Sequence, residues 1–195
     1  MAAETHREYV EPYQFFDVQP DHLKMMTDYI SVLKESDYKH EEYEFQDDFI
    51  DEYFEKYRCV EIHIPSYKSV FNIVGARVFN DINERHFKYD LAPNAFEFQL
   101  LKYHEGGNYN WHCDYGVTPY DNMTRKLSIS INLSKAEDYV GGDLDMIDYG
   151  NRCIKLDHTL GSGVVFDART PHRANPVDSG VRDVLVGWAS GPRFR

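Results

Sequence analysis

The chain has 195 residues, of which 42% are aliphatic, aromatic or Cys and 15% are aromatic, with 15 Tyr and 12 Phe. That length suits one domain burying about 70% of its unfolded surface without a metal or disulfide staple, and the composition excludes a disordered chain, a collagen and a coiled coil. The net charge of −12 argues against nucleic acid as a partner, since that binding runs on Lys and Arg against phosphates, and against an anionic lipid surface.

Cys59, Cys113 and Cys153 are an odd set without paired spacing, so a reducing compartment is expected rather than a disulfide framework. The opening stretch MAAETHREYVEPYQFF has no apolar core of a signal peptide. The longest apolar runs are four or five residues, far short of a membrane span. A cytoplasmic protein is therefore expected.

In chain order, one domain over 1–195 is expected, with a helical support region over 1–95 and a β-rich catalytic core over 96–192. Pro20 suits a first helical turn, and Leu23, Met26, Ile30 and Leu33 follow at helical steps. Phe49, Ile50, Tyr53, Phe54 and Tyr57 suit a short helix. A further helix is expected over 66–83, capped by Ser66, with Phe71, Val74, Val78 and Ile82 as its buried stripe. From Phe96 the period changes to two. Leu127, Ile129, Ile131 and Leu133 alternate with Ser128, Ser130 and Asn132, so the apolar set can pack on helices while the polar set faces a cavity. Further strands are expected over 96–103, 109–115, 142–148, 152–157, 163–167, 172–177 and 182–190, punctuated by Gly turns. About eight strands without intervening helices predict an α+β fold: a double-stranded β-helix (jelly-roll) core buttressed by N-terminal helices.

The chemistry concentrates after Tyr103. His112 and Asp114 stand two apart, which on a strand puts an imidazole and a carboxylate on one face with Cys113 turned away. His172 follows in Arg169-Thr170-Pro171-His172-Arg173. Two His and one carboxylate can cover one face of an octahedral metal and leave three positions open, the arrangement of non-haem Fe(II) oxygenases. Either half of this pattern alone is commonly a surface pair. Ten residues beyond His172, Arg182 opens an apolar strand and shares a face with Val184, Val186 and Trp188. An arginine on an apolar inner face needs an anion, either a structural carboxylate or a ligand's.

With His112, Asp114, His172 and Arg182 in this order, flanked by Tyr103-His104-Glu105-Gly106-Gly107, Val140-Gly141-Gly142-Asp143-Leu144 and Val181 to Trp188, the chain resembles the prolyl 4-hydroxylase-like branch of the Fe(II)/2-oxoglutarate-dependent dioxygenases. It is similar in style to PKHD-type hydroxylases and small phage-encoded relatives. The resemblance covers about 96–192. It implies iron at His112, Asp114 and His172, with Arg182 on the distal carboxylate of 2-oxoglutarate. It also implies O2 as oxidant, ascorbate as a reductant, and hydroxylation of an unactivated C–H with release of succinate and CO2. Many prolyl hydroxylases carry a Tyr where this chain has Asn132. The resemblance leaves that contact to Asn132, Ser130 or Tyr103, with Trp188 as a further co-substrate neighbour.

A prolyl residue of a peptide or protein is the substrate expected first. The same chemistry on a free amino acid, another small metabolite or a nucleobase is the alternative. A non-catalytic metal-binding jelly roll is the alternative of another class, and it lacks an evident fourth ligand for a structural zinc. Residues 116–124 follow the His-x-Asp segment and suit a lid. Residues 35–57 hold ten acids against Lys39 and Lys56, a solvated face or a surface for a basic peptide. His104 and His158 are expected to be exposed. The oligomeric state is not encoded in any motif.

Overall fold

The computed structural model describes residues 11–43, 58–116, 118, 120 and 122–193. The helix expected around 49–57 and most of the 35–57 acids fall outside the described residues, as do three positions of the 116–124 segment.

The described elements run β1 (Tyr13–Asp17), α1 (Pro20–Ser31), β2 (Lys39–Tyr43), β3 (Arg58–His63), α2 (Val70–Ile82), β4 (Phe96–Tyr103), β5 (Asn108–His112), β6 (Met123–Asn132), β7 (Tyr139–Gly141), β8 (Leu144–Ile147), β9 (Cys153–Lys155), β10 (Ser162–Asp167), β11 (His172–Ala174), β12 (Val177–Gly180) and β13 (Arg182–Pro192). One antiparallel sheet runs β1-β10-β6-β13-β4-β3-β5-β11-β8-β9, with β2 also on β3, and β12 pairs with β7. The sheet curls, as a jelly roll requires. The N-terminal half is not helical alone: β1 extends the sheet on β10, and β3 bridges β4 and β5. Charged residues interrupt the period of β2 and β3, as in Lys39-His40-Glu41-Glu42 and Arg58-Cys59-Val60-Glu61, and hid them from the sequence pattern.

The wall that carries the site is the β10-β6-β13-β4 group, and its two faces differ in kind. On the outer face Leu127, Ile129, Ile131, Val165, Leu185, Phe98 and Leu100 pack with Met26 of α1 and Phe71, Val74 and Phe79 of α2. Each fully buried aliphatic or aromatic side chain contributes about 1.5–3 kcal/mol. Helix α2 lies close against the sheet at Gly75. A Cβ there would meet the Phe98 ring at 2.2 Å, and one at Gly187 would meet the same ring at 2.4 Å. Phe98 thus occupies a slot that two glycines leave open.

Helix α2 starts three residues later than the spacing suggests. Ser69, not Ser66, is its N-cap, accepting a hydrogen bond from the Asn72 amide, an interaction worth about 1 kcal/mol. Its C-terminus continues as a π-turn over Asn83–Phe87 and stops at Lys88, whose φ is +56°. The Asn83 side chain then brackets both backbone groups of Tyr89, at 2.9 Å each. No helix among the described residues is long and apolar enough to cross a membrane.

Candidate active site

Strands β5 and β11 are adjacent and antiparallel, and His112 and His172 are direct partners in their register. Asp114 follows just past the end of β5, and its carboxylate meets both rings. His112 Nε2 lies 3.7 Å from Asp114 Oδ1, and His172 Nε2 lies 3.4 Å from Asp114 Oδ2. One ligand atom from each of the three lies within 4.8 Å of the others. The ring centroids of the two histidines are 4.1 Å apart.

Backbone carbonyls set the tautomers. His112 Nδ1 is 2.7 Å from the Asn110 carbonyl, and His172 Nδ1 is 3.0 Å from that of Thr170. A carbonyl only accepts, so each Nδ1 carries the proton and donates, and each Nε2 keeps its lone pair toward the cluster. Burial, reinforced by the neighbouring His172, pushes the His112 imidazole down to about 4. It is therefore neutral, as a metal ligand must be. Burial by itself would raise Asp114. The facing His172 and His112, with hydrogen bonds from Ser128 and Trp188, outweigh it and hold the carboxyl below its ordinary value. Ser128 Oγ donates to Asp114 Oδ2 at 2.7 Å. Cys113 is exposed and donates to the Arg169 carbonyl at 3.3 Å, so it is no fourth ligand. The cluster is an open-sided set of two imidazoles and one carboxylate, suited to a divalent metal that keeps free positions.

A cavity of about 510 Å³, open mouth included, extends from this cluster. Tyr103, Ser130, Arg182 and Trp188 line it, along with Val184 and Val186 of the same strand face as Arg182. Arg182 and Tyr103 are direct partners between β13 and β4. Arg182 is 3% exposed. Its Nε has no hydrogen-bond partner, and no carboxylate among the described residues pairs with it. A buried cation in this state calls for an anion. Tyr103 stays protonated: burial raises its phenol, opposed by Arg182 and Arg58. The residues fit a dicarboxylate reaching from the metal cluster to Arg182.

Asn132 is not brought to the cavity. Its amide donates to the carbonyls of Ser134 and His158, at 2.8 and 2.7 Å, and so pins the 158–159 loop to β6. Of the three residues expected at the place of the family's Tyr, Tyr103 and Ser130 line the cavity and Asn132 does not. His158 is half-buried rather than freely exposed: it stacks on Tyr139 with centroids 5.2 Å apart and bonds Asp143. His104 is exposed, as expected, beside Glu61. Glu41 is not part of a free acidic face, because it accepts from Arg58 Nη1 at 3.1 Å.

The spacing arguments missed Arg58, Tyr109 and Phe166. All three line the cavity. Tyr109 stacks on His112 with centroids 3.6 Å apart, and Phe166 meets His172 edge-on at 4.8 Å. Tyr109 lies three residues before His112, a separation that strict alternation assigns to the opposite face, and the β5–β11 register is irregular there, with His112 opposite His172 and Tyr109 opposite Ala174. Arg58 carried no local signal.

A structure of prolyl-4-hydroxylase from Pseudomonas putida superposes on this fold with a TM-score of 0.69 at 18% identity, covering 94% of each chain. A prolyl hydroxylase from Trichoplax adhaerens, in complex with a hypoxia inducible factor oxygen degradation domain peptide fragment, gives 0.67 at 14% identity over 91% of this chain and 83% of that one. In sequence, the chain is 28% identical to a PKHD-type hydroxylase of Synechococcus sp. strain CC9902 over 133 residues, 67% of this chain and 57% of that protein. The chain spans about half the length of the curated relatives it matches. Residues 98–190, which hold His112, Asp114, His172 and Arg182, match the family model of the 2OG-Fe(II) oxygenase superfamily.

Proposed function

We propose that the protein is an Fe(II)- and 2-oxoglutarate-dependent dioxygenase that hydroxylates an unactivated C–H of a peptidyl proline. The observation that carries this reading is the convergence of His112, Asp114 and His172 at one end of a cavity whose other wall holds the unpaired Arg182. Bound there, iron and 2-oxoglutarate supply, with O2, the oxidation of the C–H, and succinate and CO2 leave.

The chain's own residues perform the rest. His112 and His172 present their Nε2 lone pairs because their Nδ1 protons are held by carbonyls. Asp114 brings one negative charge, and its carboxylate accepts from Ser128 Oγ. Arg182 receives the distal carboxylate as a charge-assisted fork, and the neutral Tyr103 phenol can donate to the same group. Leu101, Leu144, Phe166 and Val184 make the intervening wall apolar. That excludes water and strengthens each polar contact inside.

The prolyl assignment is supported by the fold shared with prolyl hydroxylases, one of them peptide-bound. One domain spanning 1–195 is part of this reading, since β1 and β3 complete the catalytic sheet. The test is an assay of purified protein with Fe(II), 2-oxoglutarate and ascorbate. Succinate should form only with iron, and proline-containing peptides should gain 16 Da. Succinate formation with hydroxylation of a metabolite or oligonucleotide, and of no peptide, would leave the oxygenase reading standing and remove the prolyl one.

A further inference from the structure

Two arginines line the cavity, and they differ in what neutralises them. Arg182 has no carboxylate partner among the described residues. Arg58 has one: its Nη1 donates to Glu41 at 3.1 Å, and the two side chains are 15% and 19% exposed. The pair arises from strand register. Glu41 is opposite Val60 between β2 and β3, so Arg58 is its diagonal neighbour on the face that turns Val60 and Ile62 inward. Arg58 Cζ lies 4.7 Å over the Tyr109 ring, and that ring stacks on His112. The guanidinium is thus one aromatic ring removed from a metal-ligating imidazole. Its Nε is buried and has no hydrogen-bond partner.

We propose that Arg58 is a substrate-positioning residue whose Nε donates to a main-chain carbonyl oxygen of the peptide being oxidised. The proposal rests on the reading of the site as an oxygenase and specifies which substrates it takes. A buried donor without an acceptor is costly, commonly by about 1–3 kcal/mol, so the position asks for a lone pair from something that enters the cavity. Glu41 decides the charge of that something. Arg58 and Glu41 together are formally neutral, and a second carboxylate beside them would face Glu41 as a like charge. A neutral amide oxygen satisfies Nε without that repulsion. The unpaired Arg182 and the paired Arg58 therefore divide the ligands by charge: the dianionic co-substrate goes to one, the uncharged backbone of a peptide to the other. The same arrangement selects against a free amino acid, which must bring its carboxylate.

The test uses full-length protein loaded anaerobically with Fe(II) and 2-oxoglutarate, titrated calorimetrically with acetyl-alanyl-prolyl-alanine amide and with free L-proline. Wild type should bind the capped peptide at least tenfold more tightly than L-proline. Arg58→Met keeps the apolar stem and removes the donors. It should weaken the peptide about tenfold while changing the affinity for 2-oxoglutarate less than twofold, with Arg58→Lys recovering part of the loss. Glu41→Gln should narrow the preference for the peptide at least threefold by uncovering the positive charge. A merely structural Arg58–Glu41 pair would lower the melting temperature in both variants and leave the preference unmoved, which overturns the proposal. Binding of neither probe, or tighter binding of L-proline by wild type, overturns it as well. Absence of succinate formation by wild type would instead overturn the oxygenase reading, and the two failures are separable because binding is read without turnover.

Discussion

The two faces of the β6–β13 pair are built from the same strands and obey opposite rules. Outward, Leu127, Ile129, Ile131, Leu185 and Ala189 are apolar, buried and packed on two helices. Inward, Ser128, Ser130, Arg182 and Trp188 are equally buried, yet they carry polar atoms aimed at a cavity. The outer face is satisfied by its own neighbours. The inner face is satisfied only in part, since Ser128 and Trp188 serve Asp114 while the Arg182 Nε has nothing. Stability resides in the first face and function in the second, separated by the thickness of one sheet.

That separation can be broken most severely on the inner side. His112→Ala, Asp114→Ala or His172→Ala should each abolish turnover with the melting temperature nearly kept, because each would remove one of the three ligands in the proposed metal site. Undiminished iron binding in all three variants would show the cluster to be misassigned. The complementary variant is Leu127→Ala on the outer face, where the side chain is fully buried. It should cost about 2–5 kcal/mol of stability in denaturant titrations and leave the KM for 2-oxoglutarate unchanged. A shifted KM would mean the faces are coupled.

Arg182→Ala should raise that KM about 10- to 100-fold, as expected for a charge-assisted pair worth about 1.5–3 kcal/mol. Arg182→Lys should recover only part, because a point charge does not reproduce a fork. Ser128→Ala, which removes one hydrogen bond to Asp114, should weaken iron about tenfold, the lower end for an outer-sphere partner, as read by chelator competition.

The smallest effect is on acid stability. His112 is lowered to about 4, chiefly by burial, whereas a histidine in the unfolded chain titrates near 6.5. The unfolded state therefore takes up the proton first. The metal-free protein should lose stability as the pH falls from about 6.5 toward 4, and gain none above 6.5. His112→Gln should flatten melting temperature against pH in that window. An unchanged slope would place the titration elsewhere.

The outer face was legible in the sequence because it repeats: three apolar residues at period two on β6 announce a half-buried strand. The meeting of His112, Asp114 and His172 was legible because they carry uncommon chemistry at short or strand-compatible spacing, and the burial of Arg182 because it interrupts an apolar face. Arg58 was not legible. Nothing local distinguishes it from any charged residue of an acidic region, and its place in the cavity depends on β3 joining β4 and β5, a long-range pairing without a periodic trace. Asn132 misled for a related reason. Its strand position points inward, but the end of the strand is covered by the 158–159 loop, which takes up its amide. Alternation tells which face a residue is on and not what else reaches that face.

The most direct test of the account is succinate formation from 2-oxoglutarate by purified protein, with and without Fe(II), beside Asp114→Ala. The account predicts iron-dependent succinate from wild type and none from the variant, both folded by circular dichroism. Succinate formed at the same rate by Asp114→Ala, or none from folded, iron-loaded wild type, would contradict it.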